Sequence, residues 1–175
     1  MSLPEPPFGD HPGVSDITMA LNYTCNSGCT FCFIEPELGM GLQDTTRDYL
    51  ERVFDENASS GAFERIIFSG AEATLRPDLA EIVSRARERG GYKYVRIQTN
   101  ARRLRDRDYL QRLIDSGLNE YFVSIHAPTA ALDAALTRRP RSFVEMRQGI
   151  ANILASGARL ISNTAVSAGN YAVLP

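Results

Sequence analysis

The chain lacks the features that mark several large classes of protein. No apolar run in its 175 residues approaches the roughly 18 residues that a membrane-spanning helix needs. The net charge is -2, so there is no basic field of the kind that favours a nucleic-acid partner. Residues 1–13 are rich in proline and lack the basic-then-apolar pattern of a secretion signal. We therefore expect a cytoplasmic protein that binds neither membranes nor nucleic acid.

Cysteine and lysine are also scarce. The chain has three cysteines, and all of them lie in the stretch CNSGCTFC, from Cys25 to Cys32. In a reducing compartment, closely spaced thiols serve as metal ligands more often than as disulfides. Lys93 is the only lysine, so the basic side chains are almost all arginines. We expect the arginines of residues 102–107 to form a solvated surface.

Strand-like and helix-like segments alternate along the chain. Short apolar runs alternate with stretches whose apolar residues recur every three or four positions. This order predicts βαβ units and a parallel sheet, either open and doubly wound or part of a barrel. We expect an α/β protein with an extended lead-in over residues 1–15 and one domain over residues 16–175. The predicted strands are residues 16–24, 64–70, 92–100, 119–127 and 158–167, and the predicted helices are residues 45–58, 76–91, 105–117, 130–137 and 142–157.

Two of the predicted helices carry start signals. Pro77 is expected at the first helical position of its helix, where its missing N–H costs nothing. Ser142 and Glu145 have the spacing of a capping box, in which each side chain bonds to a backbone N–H at the helix start.

Small and polar residues collect where the predicted strands end. In parallel α/β folds the carboxyl ends of the strands form the site of chemistry. Because these ends meet at one edge of the sheet, we expect the polar segments to lie close together. They are residues 25–32, 69–74, 98–103, 124–128 and 163–167.

The cysteine spacing indicates a metal centre. Thiolates are ligands for zinc, copper(I) and iron–sulfur clusters. Structural zinc usually takes four ligands from two Cys/His pairs, and His11 and His126 are remote from the cysteines in sequence. A cubane cluster ordinarily takes four thiolates, so three would leave one iron open to a non-protein ligand. A zinc site and a cluster that only transfers electrons remain alternatives.

The cysteine segment resembles the signature of a known family. Cys25, Cys29, Phe31 and Cys32 follow a predicted strand and look like the Cys-x3-Cys-x-aromatic-Cys signature of the radical S-adenosylmethionine (SAM) enzymes. The resemblance extends from about residue 17 to residue 167 and implies a partial (β/α) barrel with about five parallel strands and four to five helices. It also implies that the three cysteines hold a [4Fe-4S] cluster whose open iron binds SAM.

The same resemblance assigns further residues to SAM. The segment SGAEATLRPDL looks like the family's Gly-Gly-Glu element, with Gly70, Ala71 and Glu72 expected near the amino group of SAM. Thr99 and Asn100 resemble the family's Thr-Asn-Gly element and are expected at the carboxylate or ribose. The other expected cofactor contacts are Phe31, Ser124 and Asn163, with His126 as a structural neighbour.

The implied activity is reductive cleavage of SAM to a 5′-deoxyadenosyl radical, which takes hydrogen from a substrate. The substrate stays open between a peptide and a small metabolite, and an electron donor such as flavodoxin or ferredoxin is implied. The family's sixth βα unit has no counterpart after residue 167, so we expect an incomplete barrel. Three explanations stay open: a piece of a longer protein, a short form that a partner or a second copy completes, and a short enzyme with an open barrel. The alternative to an enzyme is a cluster- and SAM-binding subunit or fragment that needs a partner for activity.

Overall fold

The computed structural model describes residues 15–38 and 40–173, so the predicted lead-in lies outside the described residues except for Ser15. Five strands and five longer helices alternate, as predicted, and a one-turn helix follows the cysteine segment. Within the described ranges, no helix combines the length and the apolar character needed to cross a membrane. The strands are β1 (Asp16–Ala20), β2 (Arg65–Ser69), β3 (Tyr94–Thr99), β4 (Glu120–Ser124) and β5 (Arg159–Asn163); the helices are α1 (Glu35–Leu38), α2 (Arg47–Ser60), α3 (Leu79–Glu88), α4 (Arg107–Asp115), α5 (Ala130–Thr137) and α6 (Ser142–Ala155).

The strand order shows which kind of parallel sheet the chain forms. All strands are parallel, and their spatial order is the same as their order in the sequence. A doubly wound sheet would reverse its strand order at a switch point. Helices α2 and α3, α3 and α4, and α4 and α6 contact one another, so they line up on one side of the sheet. The arrangement is a singly wound, partial (β/α) barrel, which settles the alternative that the sequence left open.

The core lies between the sheet and its helices. Each helix buries one apolar stripe, because its apolar residues recur with helical spacing. The apolar residues that recur along α3 are Leu79, Ile82, Val83 and Ala86, and all of them are buried, whereas Tyr49 on α2 is exposed. The buried core side chains that face the helices are Ile66, Phe68, Val95, Ile97, Tyr121 and Val123 on the strands, and Leu50, Phe54, Leu79, Ile82, Val83, Leu110, Leu113 and Ile153 on the helices.

Two details of the predicted helix starts are wrong. Helix α3 begins at Leu79, because Arg76 before the proline is extended and ends a short 3-10 helix over Ala73–Leu75. Helix α6 begins at Ser142 with no side-chain cap. Ser142 instead hydrogen-bonds to Asp133, and Glu145 forms an ion pair with Arg102. The capping box does not form, since both side chains have partners elsewhere in the fold.

Candidate functional site

A cavity of about 230 Å³ lies at the carboxyl ends of the strands. It is lined by ten of the eleven residues that the sequence assigned to a cluster and SAM, which confirms that the polar segments converge. A larger depression, of about 490 Å³, lies at the amino ends of β3 to β5 and contains none of these residues. The ten residues are Cys25, Cys29, Cys32, Gly70, Ala71, Glu72, Thr99, Asn100, Ser124 and Asn163.

The cysteine loop is held against the end of α5. The Gly28 N–H donates to the Thr137 carbonyl at 2.9 Å, and the Thr30 N–H donates to the Leu136 carbonyl at 2.9 Å. These bonds flank Cys29 on both sides, so its position is fixed by the last turn of the helix. Backbone hydrogen bonds therefore hold the loop beside the cavity, and its thiols are left free for other partners.

The three thiols are half-buried and form no disulfide. Burial raises the pKa of Cys25 and, together with the neighbouring thiols, raises the pKa of Cys29 to about 11. Metal ligation requires the thiolate, so binding would release these protons. Among the described residues, no three His, Cys, Asp or Glu side chains lie close enough to hold one metal ion. A cubane cluster does not need such a group, because each of its irons takes a single thiolate.

Glu72 is a buried acid of the site, with 1% of its surface exposed. Its Oε1 accepts from the Thr74 and Thr99 hydroxyls at 2.5 and 2.6 Å and from the Thr74 N–H at 3.2 Å. Its Oε2 accepts from the Asn100 N–H at 2.8 Å. All of these donors are neutral, so the carboxylate is held in place without being neutralised. A carboxylate oxygen has room for about two hydrogen bonds, and Oε2 therefore keeps capacity for another donor.

The backbone before Glu72 approaches Asn22 closely. Gly70 has φ 140, and a Cβ at this position would lie 2.6 Å from Asn22 Oδ1. Only glycine fits here, for both reasons. Ala71 donates its N–H to the Asn22 carbonyl at 2.9 Å and does not have a positive φ, so alanine is tolerated in place of the family's second glycine.

A left-handed turn follows Asn100. Ala101 has φ 60, a conformation that costs a residue with a Cβ on the order of 1 kcal/mol. Just before the turn, the Asn100 N–H donates to Glu72 at 2.8 Å, and the Asn100 side chain donates to Asn26 Oδ1 at 2.7 Å. Helix α6 packs directly on this turn at Gly149, where a Cβ would lie 2.1 Å from the Ala101 carbonyl oxygen. The strained turn is thus locked by its packing.

Ser124 and Asn163 line the cavity from the last two strands, and His126 lines it just beyond β4. His126 Nδ1 accepts from the Ala165 N–H at 3.1 Å, which requires Nδ1 to be unprotonated. Burial lowers the pKa of His126 below its ordinary value. Phe31, the eleventh residue that the sequence assigned to the cluster and SAM, does not line this cavity. Its ring packs edge-on against the His126 ring, with 4.7 Å between the ring centroids.

Two groups at the site had no signal in the sequence. Arg102 was expected in solvent, but its side chain is only 13% exposed and pairs with Glu145 at 2.8 Å. It also donates to the Asn26 carbonyl, so it joins α6 to the cysteine loop. Asp133 on α5 lines the cavity and is buried. A pair such as Arg102 and Glu145, far apart in sequence, has no local pattern that would have predicted it.

Comparisons with known proteins agree with this geometry. A family model described as the radical SAM superfamily matches residues 19–169. A probable GTP 3',8-cyclase of Saccharolobus islandicus is 34% identical over 114 residues, which are 65% of this chain and 35% of that protein. A PqqA peptide cyclase of Rhodopseudomonas palustris is 33% identical over 116 residues, 66% of this chain and 30% of that protein. The chain spans about a third of the length of the curated relatives that it matches.

Solved structures share the fold. SuiB of Streptococcus suis, crystallised with S-adenosylmethionine, superposes with a TM-score of 0.62 at 19% identity, covering 86% of this chain and 32% of that one. The methylornithine synthase PylB superposes with a TM-score of 0.66 at 16% identity, covering 85% of this chain and 44% of that one. Members of the superfamily bind a [4Fe-4S] cluster and SAM. With the family model matching most of its length, the chain belongs to the radical SAM superfamily.

Proposed function

We propose that this chain is the catalytic core of a radical SAM enzyme. Cys25, Cys29 and Cys32 hold a [4Fe-4S] cluster, and the neighbouring cavity residues hold SAM. The observation that carries the proposal is one cavity lined by three free thiols and by a buried, unneutralised carboxylate, that of Glu72. When bound, the cluster and SAM together supply a one-electron reduction and a carbon radical that abstracts hydrogen from a substrate.

The donor set fits such a cluster. It consists only of sulfur, the ligand that iron–sulfur clusters take, and the loop presents three of the usual four thiolates. The Ser27 N–H lies 3.3 Å from the Cys25 sulfur, so the loop already directs a backbone donor at a ligand atom. Such hydrogen bonds orient ligands and tune bound metals.

Glu72 supplies the counter-charge for the ammonium group of SAM. Its Oε1 is saturated by three donors, and Oε2 has room for a cationic N–H. The Asn100 side chain is held by Asn26, which keeps β3 and the cysteine loop in register beside the same ligand. Ser124 and Asn163 line the far side of the cavity and offer hydrogen bonds to the rest of the ligand.

Anaerobic reconstitution with iron and sulfide tests the proposal. We expect about four irons per chain and an electron paramagnetic resonance signal after reduction. Added SAM should shift this signal, because it would bind directly to the cluster. Formation of 5′-deoxyadenosine, measured by chromatography, would then show cleavage. Zinc bound in preference to iron, or a cluster signal that SAM leaves unchanged, would contradict the proposal.

A second candidate is a cluster- and SAM-binding subunit that requires a partner. The concave face of the sheet favours it, since Thr18 and Gln98 are exposed there and Phe122 and Ile161 are only partly covered. A partner or a second copy that completes the barrel would cover these side chains. Reconstituted protein that shows the SAM-dependent signal shift but forms no 5′-deoxyadenosine with any substrate would support the subunit.

The substrate class and the cellular setting are part of the proposal. Relatives named as a GTP cyclase and a peptide cyclase support both a small metabolite and a peptide as substrate classes. We expect a flavodoxin or ferredoxin as electron donor and a cytoplasmic location. Formation of 5′-deoxyadenosine only after a peptide is added would favour the peptide.

A further inference from the structure

Asp133 is a buried carboxylate at the cavity that the proposed SAM contacts do not use. It lies in the middle of α5 with 2% of its surface exposed and lines the same cavity as the cysteines. Ser142 Oγ donates a short hydrogen bond to its Oδ2. Over residues 15–38 and 40–173, no arginine, lysine or histidine forms an ion pair with it. Its negative charge therefore remains in the wall of the cavity.

Helix α5 carries both Asp133 and the backbone carbonyls that hold the cysteine loop. Asp133 and Thr137 are four residues apart and lie on the same face of α5. The Thr137 carbonyl accepts the Gly28 N–H, and the Leu136 carbonyl accepts the Thr30 N–H. Cys29 thus sits against the last turn of α5, one turn beyond Asp133.

The other buried charges near the loop differ from Asp133 in their partners. Arg102 is neutralised by Glu145 at 2.8 Å. Glu72 faces the position proposed for the SAM ammonium, which would neutralise it. Arg138 and Arg139 also lie close to the loop, but both are exposed, and water screens exposed charges. Asp133 is a buried charge that would remain after SAM binds.

We propose that Asp133 lowers the reduction potential of the cluster held by the three cysteines; the inference rests on the proposed function. Reduction adds one electron and hence one negative charge to a cluster that already carries three thiolates. A fixed carboxylate in the wall of the same cavity makes that addition less favourable, because like charges repel. Net charge and hydrogen bonding are known to set cluster potentials. A cluster with a lower reduction potential is a stronger reductant, which suits the cleavage of a stable sulfonium.

The test is a redox titration of the reconstituted protein, in which the electron paramagnetic resonance signal measures the fraction of reduced cluster. Asp133→Asn removes the charge and keeps an oxygen that accepts from Ser142. We expect the equilibrium constant for reduction to rise about tenfold, which for one electron is a 59 mV shift to higher potential. Ser142→Ala is the matched control: it removes the hydrogen bond but keeps the carboxylate, so the potential should not rise.

Three results would overturn the inference. One is an unchanged potential in Asp133→Asn, and another is an equal rise in both variants. If Asp133→Asn fails to take up iron, Asp133→Ser provides a second neutral variant. Loss of the cluster in both neutral variants, with a normal cluster in Ser142→Ala, would show that the carboxylate serves the fold instead. A wild-type protein that forms no cluster would overturn the proposed function itself, which the iron content reports before any titration.

Discussion

Two glutamates in this molecule are equally buried and have opposite surroundings. Glu72, at the carboxyl ends of the strands, and Glu120, at their amino ends, each expose 1% of their surface. Glu120 pairs with the Arg65 and Arg96 side chains, each at 2.9 Å. Glu72 is held by hydroxyl and backbone N–H donors, none of which carries a charge.

The difference shows how one sheet serves both stability and chemistry. A buried carboxylate is tolerated when its hydrogen bonds are made, and a counter-ion is one way to make them. At the amino end the counter-ions belong to the protein, so these charges stabilise the fold. At the carboxyl end the donors fix the glutamate without neutralising it, and we propose that SAM supplies the counter-charge. This contrast matches the separation of stability and activity between the two ends of βα barrels.

The largest expected effect comes from the cysteines, because we propose a bound cluster at the carboxyl end and none at the amino end. Cys29→Ser should abolish the visible absorbance of the reconstituted cluster, since a serine oxygen is a poor substitute for a thiolate. The circular dichroism of the metal-free protein should stay unchanged. Thr30→Ala, next to it and exposed, is the control and should keep the absorbance. A full iron content in Cys29→Ser would contradict the assignment.

The next effect is expected at the amino end. Glu120→Gln leaves Arg65 and Arg96 buried beside each other without their shared counter-charge, which should lower the free energy of unfolding by about 3–5 kcal/mol. Urea unfolding of the metal-free protein measures it. The fraction that remains folded should bind SAM normally after reconstitution. A loss below about 1 kcal/mol would mean that the ion pairs contribute little to stability.

At the carboxyl end the matched change should act mainly on the ligand. Glu72→Gln keeps the shape but brings an amide N–H against one of the present donors, so the free energy of unfolding should fall by about 1–3 kcal/mol. The affinity for SAM, measured by the shift of the cluster signal, should fall about tenfold or more because the counter-charge is lost. Equal SAM affinities in this variant and in the wild type would remove Glu72 from the proposed site.

The smallest expected effect is a pH dependence of the free energy of unfolding that arises from His126, at the carboxyl end. The folded protein holds the pKa of His126 below its ordinary value of about 6.5, so the unfolded chain binds more protons as the pH falls through that value. The free energy of unfolding should therefore decrease on acidification, by at most about 1.4 kcal/mol per pH unit. In His126→Gln, whose amide oxygen can still accept from the Ala165 N–H, the free energy of unfolding should fall less between pH 7 and pH 5 than in the wild type. An equal fall in both proteins would exclude His126 as the source of the pH dependence.

The alternation of helices and strands was predictable, because apolar residues recur with a different period in each kind of element. The sequence placed the strand ends too late, since the polar residues after each strand turn away to line the cavity; β3, for example, ends at Thr99. The cysteine and Glu72 segments were found because their signals are local. Asp133 and the Arg102–Glu145 pair were missed, because their roles arise only when α5 and α6 pack against the loop.

The bridge made by Arg102 also bears on how the protein would fail. The Arg102 guanidinium group donates both to the carbonyl of Asn26 in the cysteine loop and to Glu145 in the first turn of α6. Damage that displaces the cysteine loop would therefore also disturb α6, because one guanidinium group joins the two.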